Sequence, residues 1–334
     1  MRISTVIPSY NRCDLIVETL RSVLSQTRPA SEVIVVDDGS VDGTPDLIRE
    51  QFGNDVMLVC QKNAGAGAAR NAGLAHAAGD IIHFQDSDDI SSLNTYEVQA
   101  RAIEQGADMV YGPWVKAFFH GSDLELEDVV IQAGPIGSDG NLHLAVLRGA
   151  WLTVFQPCLF RRSLLEAAGP YRRDLAPTED WELLYRITRL RPNMAHTPES
   201  LLLYRSHPEN QISLKDPERR VIDRANLWTL FADHMARDGA GHPFSRFLFD
   251  LKRYEVAKQV AGVDPAKAAP LLYGLTGVHR QAQPWDHLFN RVRVKMTKRL
   301  FGHGYPCRFR AGALTAGQRV LLKQLGYDVR DGTA

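Results

Sequence analysis

The sequence is poor in several features, and each shortage excludes something. Only four cysteines occur in 334 residues, at Cys13, Cys60, Cys158 and Cys307, and no two stand as Cys-x-x-Cys. That argues against a zinc knuckle or a dithiol redox site. Acids and bases balance at 39 each, so no net field calls for nucleic acid, and none is expected as a partner. No apolar run reaches the ~18 residues of a membrane span. No repeat or low-complexity tract is visible. The first residues, Arg2 to Ile7, already alternate as a strand, which leaves no room for a leader and predicts a cytoplasmic chain with reduced thiols. What is present is ordinary for a soluble globular protein: 44% hydrophobic and 23% charged residues. The length suits one large domain plus a smaller one.

The chain is organised around Ile81-Ile82-His83-Phe84-Gln85-Asp86-Ser87-Asp88-Asp89. It starts as a buried strand and ends in acids. Burying those carboxylates unpaired is costly, and each raises its neighbour's pKa. Either they lie in solvent at the strand's end or they meet a cation. On an extended backbone Asp86 and Asp88 point the same way. At the carboxyl end of a strand, beside a ligand crevice, they suit a hard divalent ion, Mn2+ or Mg2+. The plainer alternative is an acidic turn that caps the next helix.

Around this stretch the sequence predicts rounds of strand, loop and helix. Ile3–Ile7 is a strand closed by a Pro8-Ser9-Tyr10-Asn11-Arg12 turn, because Pro cannot extend a central strand. Asp14 caps the next helix. Val33–Val36 is a buried strand ending in Asp37-Asp38-Gly39-Ser40. Thr44 caps a helix with Pro45 at its first position, and Gly53 ends it. Val56–Cys60 is a third strand, Ala68–Ala78 a small-residue helix, and Ile81–Phe84 a fourth strand. The class is α/β, a mostly parallel sheet flanked by helices. Further on, the pattern gives a helix over Leu93–Gln105, strands over Asp108–Tyr111 and Trp114–Phe119, and an acidic excursion over Asp123–Asp128 that reads as solvated. Helices are expected over Leu142–Leu147, Arg161–Ala168 and from Thr178 to about Leu190, then a strand over Leu201–Tyr204. After about Lys215 helical patterns dominate. Two units are therefore expected, 1–214 and a mainly helical 215–334 for acceptor, membrane-surface or oligomer contacts.

Five short motifs stand in order: Val6-Ile7-Pro8-Ser9-Tyr10-Asn11, Val35-Val36-Asp37-Asp38-Gly39-Ser40, Asn63-Ala64-Gly65 with Ala69-Arg70-Asn71, Asp86-Ser87-Asp88-Asp89, and Glu179-Asp180. Together they resemble the family 2 inverting glycosyltransferases of GT-A fold, over about residues 1 to 210. The resemblance implies transfer of a sugar from a nucleotide diphosphate, preferably UDP, to a hydroxyl of a glycan or lipid-linked acceptor in cell-surface polysaccharide synthesis. It implies Asp88 as direct metal ligand, with Asp86 on the ribose or on the metal through water. Asp38 would accept the N3–H of a uracil, Asp37 would hold that strand end, and Pro8, Tyr10 and Asn11 would form the base pocket. Gly65 would allow close backbone approach. Arg70 would pair with Asp38 or with phosphate. Asp180 would be the base, charged at the first turn of a helix. Glu179 and Trp181 would line the acceptor cleft, His207 would lie near metal or diphosphate, and Arg205 near the diphosphate. For every one of these a plainer structural role stands beside the functional one.

The Gln-x-x-Arg-Trp segment of processive relatives is absent after Asp180, which favours single transfer. A dinucleotide site is discounted because Gly65-Ala66-Gly67-Ala68-Ala69-Arg70 comes late and lacks its third glycine. An aspartyl phosphatase would need Asp-x-Asp-Gly-Thr, which Asp37-Asp38-Gly39-Ser40 is not. A degenerate transferase kept as a nucleotide-sugar or glycan-binding scaffold is the rival class. The run from Arg291 to Arg310 carries seven bases and no acid. It reads as a solvated helical face or as a peripheral contact with anionic lipid at the inner membrane surface. A homo-oligomer stays open.

Overall fold

β1, Ile3–Ser9, is buried at every residue and forms the spine of the molecule. The computed structural model describes residues 1–131, 143, 146, 154–175, 178–207, 217–238, 243–272, 307–309 and 314–329. β1 pairs in parallel with β2, Glu32–Asp37, on one side and with β4, Ile81–Phe84, on the other. β3, Met57–Cys60, adds in parallel to β2. Beyond β4 the sheet changes character. β9, Cys158–Arg161, is inserted antiparallel between β4 and β6, Met109–Tyr111, and β10, Met194–His196, pairs in parallel with β6. The order is β10-β6-β9-β4-β1-β2-β3.

Both faces of this sheet are covered, which is why its strands read as unbroken apolar runs. Ile3, Ile7, Val33, Val35 and Ile81 pack against α1 (Ile16–Leu24), α2 (Thr44–Phe52) and α4 (Thr95–Glu104). On the other face Val6, Ile82, Phe84, Tyr111 and Phe160 pack with α5 (Arg162–Ala168), α6 (Glu179–Arg189), α7 (Pro217–Asp238), α8 (Pro243–Ala261) and α9 (Pro265–Leu272). Helices beyond residue 215 therefore share a core with the sheet. α3, Ala66–His76, lies close on β1: a Cβ at Gly73 would sit 2.3 Å from Val6 Cγ1. Glycine is what lets the helix come that near.

A second sheet has the order β12-β8-β7-β11-β5, with β13 (Asp328–Val329) paired to β8. Its strands are β5 (Ile90–Ser91), β7 (Trp114–His120), β8 (Asp123–Ile131), β11 (Leu202–Arg205) and β12 (Cys307–Phe309). α10, Ala316–Gln324, begins with a Thr315 capping box and rests on this sheet through Leu322.

Several sequence expectations are corrected. Pro8 is inside β1, opposite Val36; the β4 ladder has already ended at Val6–Phe84, so no pairing on that side reaches the proline. Asp14 does not cap α1, whose N-cap is Leu15. Thr44 is the first residue of α2 rather than its cap; its hydroxyl donates to Asp42 and accepts the Arg12 N–H. The acidic run from Asp123 is part of β8, with Leu124 buried and Glu125 exposed, a period of two that its charge masks. Of the expected Leu142–Leu147 helix, His143 and Val146 are described and helical. The basic stretch 291–310 lies outside the described residues apart from the strand at 307–309. Among the described residues no helix is long and apolar enough to cross a membrane.

Candidate active site

The loops at the carboxyl ends of β1, β2 and β4 meet the start of α6, which is where open α/β sheets bind ligands. At the end of β2, Asp37 folds its own turn. Its Oδ2 accepts the Gly39 and Ser40 N–H groups, while Oδ1 is buried without a partner. Asp38 holds the neighbouring loop. Oδ1 accepts Gln61 Nε2 at 2.7 Å and the Ala64 N–H at 2.9 Å, and Oδ2 accepts the Gly65 N–H at 2.8 Å. Gly65, at φ +90°, makes the bend into α3. Asn11 is also left-handed, at φ +51°; its N–H donates to Ser40 Oγ and its Oδ1 accepts the Val41 N–H. That exchange ties the β1 loop, with Pro8 and the exposed Tyr10, to the β2 loop.

At the end of β4, one carboxylate oxygen each from Asp86, Asp88 and Asp89 lies within 4.8 Å of the others. Their surroundings differ. Burial pushes the Asp86 carboxyl up against the pull of Arg70. Burial, then Asp88 and Asp86, pushes Asp89 well up; its Oδ1 accepts the Arg205 N–H and its Oδ2 is buried without a partner. Burial also acts on Asp88, but His207 Nε2 at 3.0 Å and Arg12 Nε at 3.3 Å from its Oδ2 hold it below the ordinary carboxylate range. Three carboxylates meeting at one point, with one orphaned buried oxygen, fit a hard divalent cation.

α3 and α6 bring Arg70 and Asp180 to the same place. Arg70 Nη2 donates to Asp86 Oδ1 at 2.7 Å; Nη1 is 3.7 Å from Glu179 Oε1 and 3.5 Å from Asp180 Oδ1. Arg70 therefore pairs with Asp86 and not with Asp38, one of the two partners the sequence suggested, phosphate being the other. Glu179 is buried, and burial followed by the charge of Asp180 pushes it up to about 7.

Other residues have core partners. Trp181 is partly buried: its Nε1 donates to the Val146 carbonyl and its ring packs edge-on against Trp228 and Phe231. Glu179 is buried beside Arg70. Arg205 turns to Glu18 and the Asp88 carbonyl, with Cζ 3.7 Å from the centre of the Phe119 ring. Sequence reasoning missed Gln156, which donates to Asp86 Oδ2, and Tyr171, whose ring lies 5.3 Å from Arg70 Cζ. Nothing in the sequence near either residue marks it. Arg12 did stand beside a quoted motif.

Residues 4–168 match the model of glycosyl transferase family 2. Over those residues the chain belongs to that family. The match to family 2 ends at α5, so Asp180 lies beyond it. An uncharacterized glycosyltransferase of Nostoc, alr2836, is 32% identical over 178 residues, 51% of this chain and 54% of that protein. The chain thus spans about half of that relative's length. Among solved structures, Staphylococcus aureus TarS 1–349 in complex with UDP-GlcNAc superposes with a TM-score of 0.51 at 19% identity, covering 85% of this chain and 93% of that one. A Pyrobaculum calidifontis mannosyltransferase with GDP-Man and Mn2+ gives 0.52 at 21%, covering 89% and 86%. At those identities the likeness shows that the family 2 chain shares their GT-A fold.

Proposed function

We propose that this chain is an inverting, metal-dependent glycosyltransferase. It moves a sugar from a nucleotide diphosphate, with uridine preferred, to a hydroxyl of a glycan or lipid-linked acceptor in cell-surface polysaccharide synthesis. The observation that carries this reading is the single cluster of Asp86, Asp88, Asp89 and Asp180, joined through Arg70. A fold-mate that binds UDP-GlcNAc and another solved with GDP-Man and Mn2+ support it.

In this reading Asp88 and Asp86 hold Mn2+ or Mg2+, with His207 beside them. The bound ion would stabilise negative charge on the departing diphosphate. The nucleoside rests against Pro8, Tyr10 and Asn11, with Asp37 and Asp38 at its edge. Asp180, the most exposed carboxylate of the group, takes the acceptor hydroxyl's proton. The acceptor oxygen bonds to the anomeric carbon from the face opposite the diphosphate. The bond between that carbon and the diphosphate oxygen breaks, and its electron pair leaves with the diphosphate.

The deciding experiment is a thermal-shift screen of UDP-, dTDP- and GDP-sugars with and without Mn2+. A binding donor raises Tm by mass action, and a UDP-sugar is expected to do so only with the metal. A protein whose Tm no nucleotide sugar moves does not have this function.

A further inference from the structure

The two arms of the Arg70 guanidinium serve two different parts of the chain. One amino group donates to Asp86, on the donor side at the end of β4. The other faces Asp180 and Glu179, at the start of α6. We propose that Arg70 is a positioning residue that sets the base Asp180 at a fixed separation from Asp86, rather than a contact for the nucleotide. This rests on the glycosyltransferase reading above and names a role within it.

The argument is geometric. Asp180 Oδ1 is buried yet makes no hydrogen bond, and among the described residues Arg70 is the cation within 4 Å of its carboxylate. Little else therefore orients the side chain that must meet the acceptor. Arg70 is itself held firmly. Its side chain is only 6% exposed, and α3 is pressed onto β1 through Gly73. The next residue, Asn71, exchanges two hydrogen bonds with the Tyr171 backbone: Nδ2 donates to the carbonyl at 2.9 Å, and Oδ1 accepts the N–H at 2.8 Å. The Tyr171 ring then lies beside the guanidinium. A planar fork on an immobile stem fixes the spacing of two carboxylates on separate elements. A lysine ammonium is a point charge and has no such fork. The Asp38 carboxylate, meanwhile, accepts from Gln61, Ala64 and Gly65, and Arg70 is not among its donors.

The test uses the full chain with Mn2+ and the donor selected by the thermal screen. UDP serves as the binding probe in calorimetry, and Arg70→Lys, Arg70→Gln and Asp180→Asn are compared. Misplacing a catalytic group by about 1 Å costs about 100-fold, so both Arg70 variants should lose about that much turnover at saturating donor. UDP affinity should fall far less than turnover, because both contacts of Arg70 are made to carboxylates and none to the nucleotide. Adding Arg70→Lys to Asp180→Asn should lower turnover no further, as expected of groups that act as a unit. Arg70→Lys keeps a buried cation, and it carries the test should Arg70→Gln fail to fold. The proposal is overturned if UDP affinity falls in step with turnover, if lysine restores full turnover, or if the losses add. Full turnover in Asp180→Asn alone would instead remove the base assignment, and that is seen before any Arg70 variant is made.

Discussion

His207 and Asp88 stand 119 positions apart in the chain, and their side chains meet at 3.0 Å between Nε2 and Oδ2. With Arg12 on the same oxygen, this contact keeps Asp88 ionised while its neighbours Asp86 and Asp89 are driven toward protonation. One acid of the three is thus held ready for a cation before the cation arrives.

Removing His207 should therefore weaken the site without dismantling it, since Arg12 remains. His207→Ala is expected to lower Mn2+ affinity about 10- to 100-fold, the usual cost of losing a group that orients a ligand. Asp88→Ala should abolish measurable binding. Calorimetric titration with MnCl2 checks both; equal affinity in wild type and Asp88→Ala would remove Asp88 as a ligand.

His83 makes stability depend on pH. It is fully buried on β4, with Nδ1 2.8 Å from the Tyr96 hydroxyl and Nε2 2.8 Å from the Gln156 carbonyl. Burial lowers its pKa from 6.5 to about 4. The unfolded chain then binds a proton that the folded chain refuses, so stability falls as pH drops from about 6.5 toward 4. The full loss is about 3–4 kcal/mol. Urea unfolding at pH 7 and pH 4.5 should show it, and His83→Gln should flatten that part of the profile. A Gln variant as acid-sensitive as wild type would assign the loss to other groups.

Trp181 belongs to the packing of α6 on α7. Trp181→Ala should cost about 2–4 kcal/mol of stability, in the range of large-to-small substitutions in a core. Trp181→Phe should recover most of it. Urea midpoints decide the matter. Unchanged midpoints with a raised KM for acceptor would return the residue to the cleft.

Much of the first sheet was legible because its strands are apolar throughout and its helices amphipathic. β2, β4 and α2 lie within a residue or so of where periodicity puts them. β9 was not legible: Cys158–Arg161 is four residues long and runs straight into α5, so its apolar pattern merges with a helix start. The acids of the site were legible through their order in the chain. Their partners were less so, because Gln156 and Tyr171 reach Asp86 and Arg70 across long separations that leave no local pattern. The packing of Trp181 was not legible, because an aromatic beside a candidate base looks the same in sequence whether it faces a sugar or another tryptophan.

The antiparallel β9 also bears on how the protein is made. β4 finds its outer neighbour only when residues 158–161 arrive, long after Ile81–Phe84 has been synthesised. A nascent chain on the ribosome, or a fragment cut short of residue 158, therefore carries an open sheet edge with four apolar or aromatic side chains, a template for pairing with other chains. Expression trials should accordingly keep every truncation point beyond Arg161.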